Sequence, residues 1–349
     1  MKTRLLAGFM VLMAAAATPP RACTTFCFEE GGALVFGKNY DWNVDDGFVI
    51  VNKRGVAKQA LADERPLRWT SRFGSVTFNQ YGREFPNGGI NEQGLVIELM
   101  WLDDTEYPTP DARGALPTLQ WIQYQLDNAA TVDDVVASDK TVRIRGASAK
   151  IHFLVADAKG NTAAVEYLAG KMVVHRGKDL PHRALTNDTY LRSATYMKEF
   201  NDVARELSHS SLDRFAVAAQ AVAKGPAPGV APVTAAFDLL ARVAQGEYTQ
   251  WSIVYDIAAM RVHFRTRAQR DIRWIDLAQL DFRCATPVRV IDLNAPLAGD
   301  VTAKLTDYSR DANRALIGAS YAKTEFLRGV PAESLDELAR FPDGMRCAP

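Results

Sequence analysis

The sequence predicts an α+β fold in which antiparallel sheets are covered by helices. Three observations lead there. Short strand-like runs are joined by tight turns, as at Glu29-Glu30-Gly31-Gly32 and Lys159-Gly160-Asn161; antiparallel neighbours can use such turns and parallel neighbours cannot. Strand signals crowd both ends of the body, while an alanine-rich stretch of helical spacing, 190–245, fills the middle. No glycine-rich phosphate loop follows a strand, so neither a doubly wound parallel sheet nor a nucleotide site is expected.

In order, residues 24–28 and 33–40 read as two strands across that first turn, and 48–52 as a third. The charged stretch 60–72 reads as loop. Residues 75–81 and 95–100 return to strand character, with Asn91-Glu92-Gln93-Gly94 as the turn before the latter. Pro108, Pro110 and Gly114 mark a surface loop. Residues 116–126 then show helical spacing, and Thr131-Val132-Asp133-Asp134 looks like a capped helix start. Residues 150–157, 162–168 and 171–175 form a run of three strands. The helical stretch breaks near Gly225-Pro226-Ala227-Pro228-Gly229. A hairpin of 249–256 and 261–265 follows, turning near Ala258-Ala259, and the tail 312–340 reads as two helices.

With 349 residues, 48% hydrophobic and 23% charged, the chain suits one large soluble domain. Its 41 basic and 41 acidic side chains balance, and no basic face is concentrated enough to expect a nucleic-acid partner. Lys2 and Arg4 precede an apolar run, 5–17, then the helix-breaking Thr18-Pro19-Pro20 and the small Ala22. That is the pattern of a signal peptide over 1–22, cut before Cys23. The run is shorter than the roughly 20 residues a membrane span needs, so no integral membrane segment is expected after processing. The expected product is an exported single domain, 23–349, periplasmic or extracellular.

Four cysteines remain to be placed: Cys23, Cys27, Cys284 and Cys347. On one strand, Cys23 and Cys27 lie about 13 Å apart at about 3.3 Å per residue, too far for a disulfide. Cys284 and Cys347 are available to staple the tail to the body in an oxidising compartment. The five histidines, at 152, 175, 182, 209 and 263, show no metal-ligand spacing, and there is no Gly-x-Ser-x-Gly elbow. No metal or cofactor is expected.

That leaves Cys23. A cut before it frees an α-amine with a pKa near 8, a base on the nucleophile's own residue. Gly37-Lys38-Asn39-Tyr40-Asp41-Trp42 closes the second strand, and a hairpin brings that end beside residue 23. There Asp41 is placed to orient the amine and Lys38 to favour the thiolate. A rival reading makes Cys23 a lipidation site, although only Ala22 of Pro20-Arg21-Ala22 fits that pattern.

At this point the chain resembles the choloylglycine hydrolase and penicillin V acylase family of N-terminal nucleophile hydrolases. Cys23-Thr24-Thr25-Phe26 matches its mature N-terminus, and Gly37 to Trp42 its Gly-Arg-Asn-x-Asp-Trp motif. Asn91-Glu92-Gln93-Gly94-Leu95 matches a turn. Leu185-Thr186-Asn187, Asp213-Arg214-Phe215 and Thr249-Gln250-Trp251 match later segments in the same order. The resemblance implies a four-layer αββα sandwich of two antiparallel sheets. It implies hydrolysis of a linear, non-peptide amide through a thioester on Cys23, with Asp41 positioning the amine and Arg214 stabilising the charged thiol. Asn187 and the backbone N–H at Trp101 would then form the oxyanion hole. Lys38 departs from the family arginine, and a lysine lacks the planar fork. The position of Trp101 is often Asn in bile salt hydrolases and Tyr in penicillin V acylases; an aromatic there suits a flat or acyl group. The expected substrate is a small N-acyl compound of the penicillin V, acyl-homoserine lactone or conjugated bile acid type, and the resemblance suggests a homotetramer. The alternative is an inactive, lipid-anchored binding protein on the same scaffold, with Cys23 acylated.

Overall fold

The computed structural model describes residues 23–146, 149–200, 208 and 210–349; the signal-peptide expectation for 1–22 lies outside them, as does His209. Two large sheets dominate. The first has seven strands, in the order Ala184–Leu185, Thr24–Glu30, Ala33–Asp41, Thr249–Asp256, Arg261–Thr266, Arg273–Asp276 and Gly299–Asp300. The second has nine, in the order Lys171–Arg176, Thr162–Leu168, Ile151–Ala156, Val96–Trp101, Pro86–Asn91, Ser75–Asn79, Phe48–Asn52, Arg289–Asp292 and Thr306–Asp307. Pairing is antiparallel throughout the nine-stranded sheet. In the seven-stranded sheet only the last edge, Arg273–Asp276 against Gly299–Asp300, is parallel.

The sheets lie face to face. Phe78 of the second meets Tyr255 and Phe264 of the first edge-on, with ring centroids 6.2 and 5.7 Å apart. Helices Ser211–Lys224 and Pro232–Arg242 cover the outer face of the seven-stranded sheet, and Thr118–Asn128 covers that of the nine-stranded one. The result is the αββα sandwich. Strands covered on both faces bury every residue, which is why Ser75–Asn79 and Pro86–Asn91 show no exposed alternation.

Most of the expected elements form. Thr131 begins its helix with a capping box: its hydroxyl accepts from the Asp134 N–H, and the Asp134 carboxylate accepts from the Thr131 N–H at 3.0 Å. The alanine-rich stretch holds Tyr190–Glu199 as well as the two covering helices, and Gly225, at φ +72°, ends the second of the three. The tail folds as Arg310–Lys323 and Ala332–Arg340 around a short 3-10 turn, Glu325–Leu327.

Two places differ. The stretch 60–72 is not all loop: Arg68–Thr70 pairs with Val56–Gln59, whose other edge takes Arg346–Cys347. Pro86–Asn91 opens with Pro-Asn-Gly-Gly, residue types typical of a turn. It is instead a central strand, with proline at its first residue, where a ladder tolerates it. Cys284 and Cys347 form a disulfide, while Cys23 and Cys27 are free and buried. Among the described residues no helix is long and apolar enough to cross a membrane.

Candidate active site

The site is built on the first hairpin. Thr24 lies opposite Asn39 and Phe26 opposite Gly37, so the start of the first strand meets the end of the second. Gly37 makes that closeness sterically feasible, since a Cβ there would sit 2.4 Å from the Phe26 ring. Alternation then sorts the side chains. Lys38 and Tyr40 point between the sheets, where they meet Leu99 and Gln80, whereas Asn39 points outward and donates to the carbonyl of Leu240.

Cys23 is 4% exposed. Its nitrogen, an amide in the full chain, donates to Asn187 Oδ1 at 2.7 Å, and its Sγ lies 4.0 Å from the Asp41 carbonyl oxygen. Arg214, on a helix of the outer layer, reaches over the first strand. It donates to the Cys23 carbonyl at 2.8 Å, the Thr24 hydroxyl at 2.7 Å and Asn187 Oδ1 at 3.1 Å. Asn187 is fixed from both ends. Its Nδ2 donates to the Trp101 carbonyl at 2.8 Å, and its backbone N–H donates to Ser211 Oγ at 2.8 Å. In the full chain, then, Asn187 meets the carbonyl of Trp101.

Asp41 takes a hydrogen bond from the Thr249 hydroxyl on Oδ1, while its buried Oδ2 has no hydrogen-bond partner among the described residues. Burial pushes this carboxyl up to about 6, against the opposing pull of Arg214, Thr249 and Lys38. Lys38 is fully buried; its ammonium donates to the Leu99 carbonyl and lies 3.9 Å from Glu98. It acts on the thiol through space. Burial pushes the Cys23 thiol up, Lys38 pulls it down, Asp41 raises it again, and Arg214 lowers it. The balance keeps the thiol protonated, so reaction requires a base close by.

Above Cys23 opens a cavity of about 380 Å³, in the range of small-molecule sites. Trp42 and Trp101 stack there with centroids 6.2 Å apart, and Tyr81, Leu99 and Leu119 add apolar wall. The hairpin, Asn187, Arg214 and Trp101 thus converge at one place, with Lys38 one layer inward. Sequence reasoning missed the groups behind them. His152 Nδ1 lies 3.1 Å from Glu166 Oε1, and its Nε2 lies 2.7 Å from the carbonyl oxygen of Thr186, the residue before Asn187. His175 approaches the same carboxylate at 3.4 Å. No spacing along the chain announces this cluster, because its members sit on separate strands. Thr249, by contrast, stood in a motif already singled out.

A model of the linear amide C-N hydrolases, choloylglycine hydrolase family, matches residues 23–237, more than half of the chain and starting at Cys23 itself. The chain belongs to this family. Its similarity extends to the penicillin V acylase of Pectobacterium atrosepticum, 26% identical over 80% of this chain and 88% of that one. The solved penicillin V acylase of Agrobacterium tumefaciens superposes with a TM-score of 0.72 at 26% identity, covering 82% of this chain and 98% of that one. A conjugated bile acid hydrolase variant from Clostridium perfringens shares the fold, at TM-score 0.67 and 17% identity over 79% of this chain and 98% of that one. Family membership makes the chain a relative of enzymes that hydrolyse linear amides.

Proposed function

We propose that this chain is an exported amidase, periplasmic or extracellular, that cleaves a small N-acyl amide through a thioester on Cys23, after release of residues 1–22. The observation that carries the reading is the buried Oδ2 of Asp41, which has no hydrogen-bond partner among the described residues, on a residue whose carbonyl oxygen lies 4.0 Å from Cys23 Sγ. A freed α-ammonium is the group that would satisfy it, since a buried carboxylate oxygen without a donor is costly. Cutting before Cys23 therefore gives that acceptor an N–H donor, and the neutral form of the freed amine is the missing base.

The chemistry then follows from the neighbours. The α-amine takes the thiol proton, directly or through a water, and Sγ attacks the substrate carbonyl. Asn187 Nδ2, turned from the Trp101 carbonyl to the new oxyanion, and the N–H at Trp101 stabilise the tetrahedral intermediate. The C–N bond breaks as the amine leaves with the proton from the ammonium. Water, deprotonated by the same α-amine, hydrolyses the thioester and restores the thiol. Arg214 and Lys38 favour the thiolate, and the apolar cavity accepts the acyl group. A penicillin V, acyl-homoserine lactone or conjugated bile acid type of substrate fits this chemistry, and the paired tryptophans favour the first two.

The rival reading, a lipid-anchored binding protein, requires the Cys23 side chain to leave the protein for a membrane. At 4% exposure at the head of a paired strand, that thiol is poorly placed to do so.

N-terminal sequencing and intact mass of exported protein test the proposal, together with turnover of an acyl-amide panel before and after iodoacetamide. The expected product begins with unmodified Cys23 and loses activity on alkylation there. Lipid on Cys23, or full activity in Cys23→Ala, would overturn it.

A further inference from the structure

The cavity has walls from two distant parts of the chain. Most of its lining comes from residues 23–151, but Tyr321, Phe326, Leu327 and Leu338 also face it. All four belong to the tail, which lies beyond the residues 23–237 that the family model matches. This tail is fastened to the rim of the site. Ser320 donates to the Gln80 carbonyl at 2.7 Å, and the Arg83 N–H donates to Asn313 Oδ1 at 2.9 Å. Ile317 packs so tightly on Gly82, at φ +99°, that a Cβ there would sit 2.8 Å from it. Lys323 pairs with Asp45 and Asp46, and the Cys284–Cys347 disulfide ties down the far end.

The fastening leads directly to the substrate side. Thr324 Oγ1 lies 3.2 Å from the Tyr81 hydroxyl, which accepts from Trp42 Nε1 at 2.9 Å. Two residues on, the Phe326 ring lies 6.5 Å from that of Trp42 and 6.0 Å from that of Trp101. Three rings from three segments thus meet, and Phe326, which lines the cavity, is 38% exposed. An apolar group entering the cavity covers this ring and removes it from water.

Resting on the amidase reading, we propose that the tail is the acyl-selecting wall of the site, with Phe326 as its specificity-determining residue. It sets how far an apolar acyl group extends from the carbonyl held at Cys23. It takes no part in the bond changes, so its removal acts on selection and leaves the reaction of a short acyl group intact.

The test compares parent, Phe326→Ala and Phe326→Leu on acetyl, hexanoyl and octanoyl amides of one chromogenic aniline. Octanoate and acetate binding to each protein is measured by calorimetry. In the parent, kcat/KM is expected to rise with chain length, approaching about fourfold per buried methylene. Phe326→Ala is expected to flatten that rise, with at least a roughly tenfold loss on the octanoyl substrate carried in KM, little change on acetyl, and weaker octanoate binding. Phe326→Leu should restore much of it. An equal loss on all three substrates, or an unchanged chain-length profile, would overturn the proposal and leave the amidase reading standing. If the parent hydrolyses none of them yet octanoate binding still depends on Phe326, the acyl wall stands and the amidase reading falls.

Discussion

Asn187 is the residue on which the site turns. Its side chain joins the Cys23 nitrogen, Arg214 and the Trp101 carbonyl, and its backbone is set from below by His152 through Thr186. Both ring nitrogens of His152 face oxygen atoms, Glu166 Oε1 at 3.1 Å and the Thr186 carbonyl at 2.7 Å. Burial raises the Glu166 carboxyl, but hydrogen bonds from His152 and His175 outweigh it and hold it at about 2. On the amidase reading proposed above, Asn187→Ala is expected to lower turnover about a hundredfold or more, the effect of losing one oxyanion donor, with an unchanged urea midpoint. A large fall in that midpoint would instead make Asn187 a structural residue. Glu166→Gln removes the buried carboxylate that faces His152, His175 and the Tyr190 N–H, and equilibrium unfolding should show a loss of about 1–3 kcal/mol; an unchanged midpoint would mean that the carboxylate does not hold this cluster together. Cys23, Lys38, Asp41, Asn187 and Arg214 were legible in the sequence because each stands in a short motif whose order is kept along the chain. His152 and Glu166 were not, since strand pairing joins them and no linear spacing does.

At the scale of elements, hairpins were easy to read and glycine-rich strands were not. Residues 151–156 and 162–168 announce themselves through a Lys-Gly-Asn turn between β-branched and apolar runs. Pro86–Asn91 hides because Gly88 and Gly89 are there for close approach: a Cβ on Gly89 would lie 2.5 Å from the Val76 carbonyl oxygen. The tail helices were visible, but their seat on the cavity was not, because contact across more than two hundred residues leaves no local signature. The disulfide closes a separation of 63 residues. Cys284→Ala with Cys347→Ala is therefore expected to cost about 4 kcal/mol through the freed entropy of the unfolded chain. Urea unfolding of parent and double variant measures it. Identical midpoints would show that the Arg346–Cys347 strand and the tail helices hold without the bond.

For the whole molecule, the sandwich has an ionic group at its centre. Lys38 comes from one sheet and Glu98 from the other, and the Tyr255 hydroxyl donates to Glu98 Oε1 at 2.5 Å. Burial pushes Glu98 up to about 7, because Lys38 and Tyr255 recover only part of the lost hydration. Asp41 stands likewise at about 6. With unfolded values of roughly 4, both groups favour the fold fully below about pH 4, and that contribution is lost as pH rises through about 6 and 7. Glu166 runs the other way, contributing above roughly pH 4 and losing its contribution as pH falls toward 2. Glu98→Gln removes one of the first kind. Its stability relative to the parent should climb by up to roughly 3 kcal/mol between about pH 5 and 8, as read by denaturant unfolding at both values; parallel curves would mean that Glu98 stays ionised throughout. The same centre also constrains ancestry. A Cβ on Gly88 would lie 2.2 Å from the Glu98 carboxyl carbon, so a side chain at 88 and the carboxylate at 98 compete for the same space. Lineages that carry arginine at 38 are expected to have altered 98 or 255 as well. A side chain at 88 is expected only in relatives where the carboxylate at 98 has been replaced by something smaller, a steric order of change that sequences of the family would test.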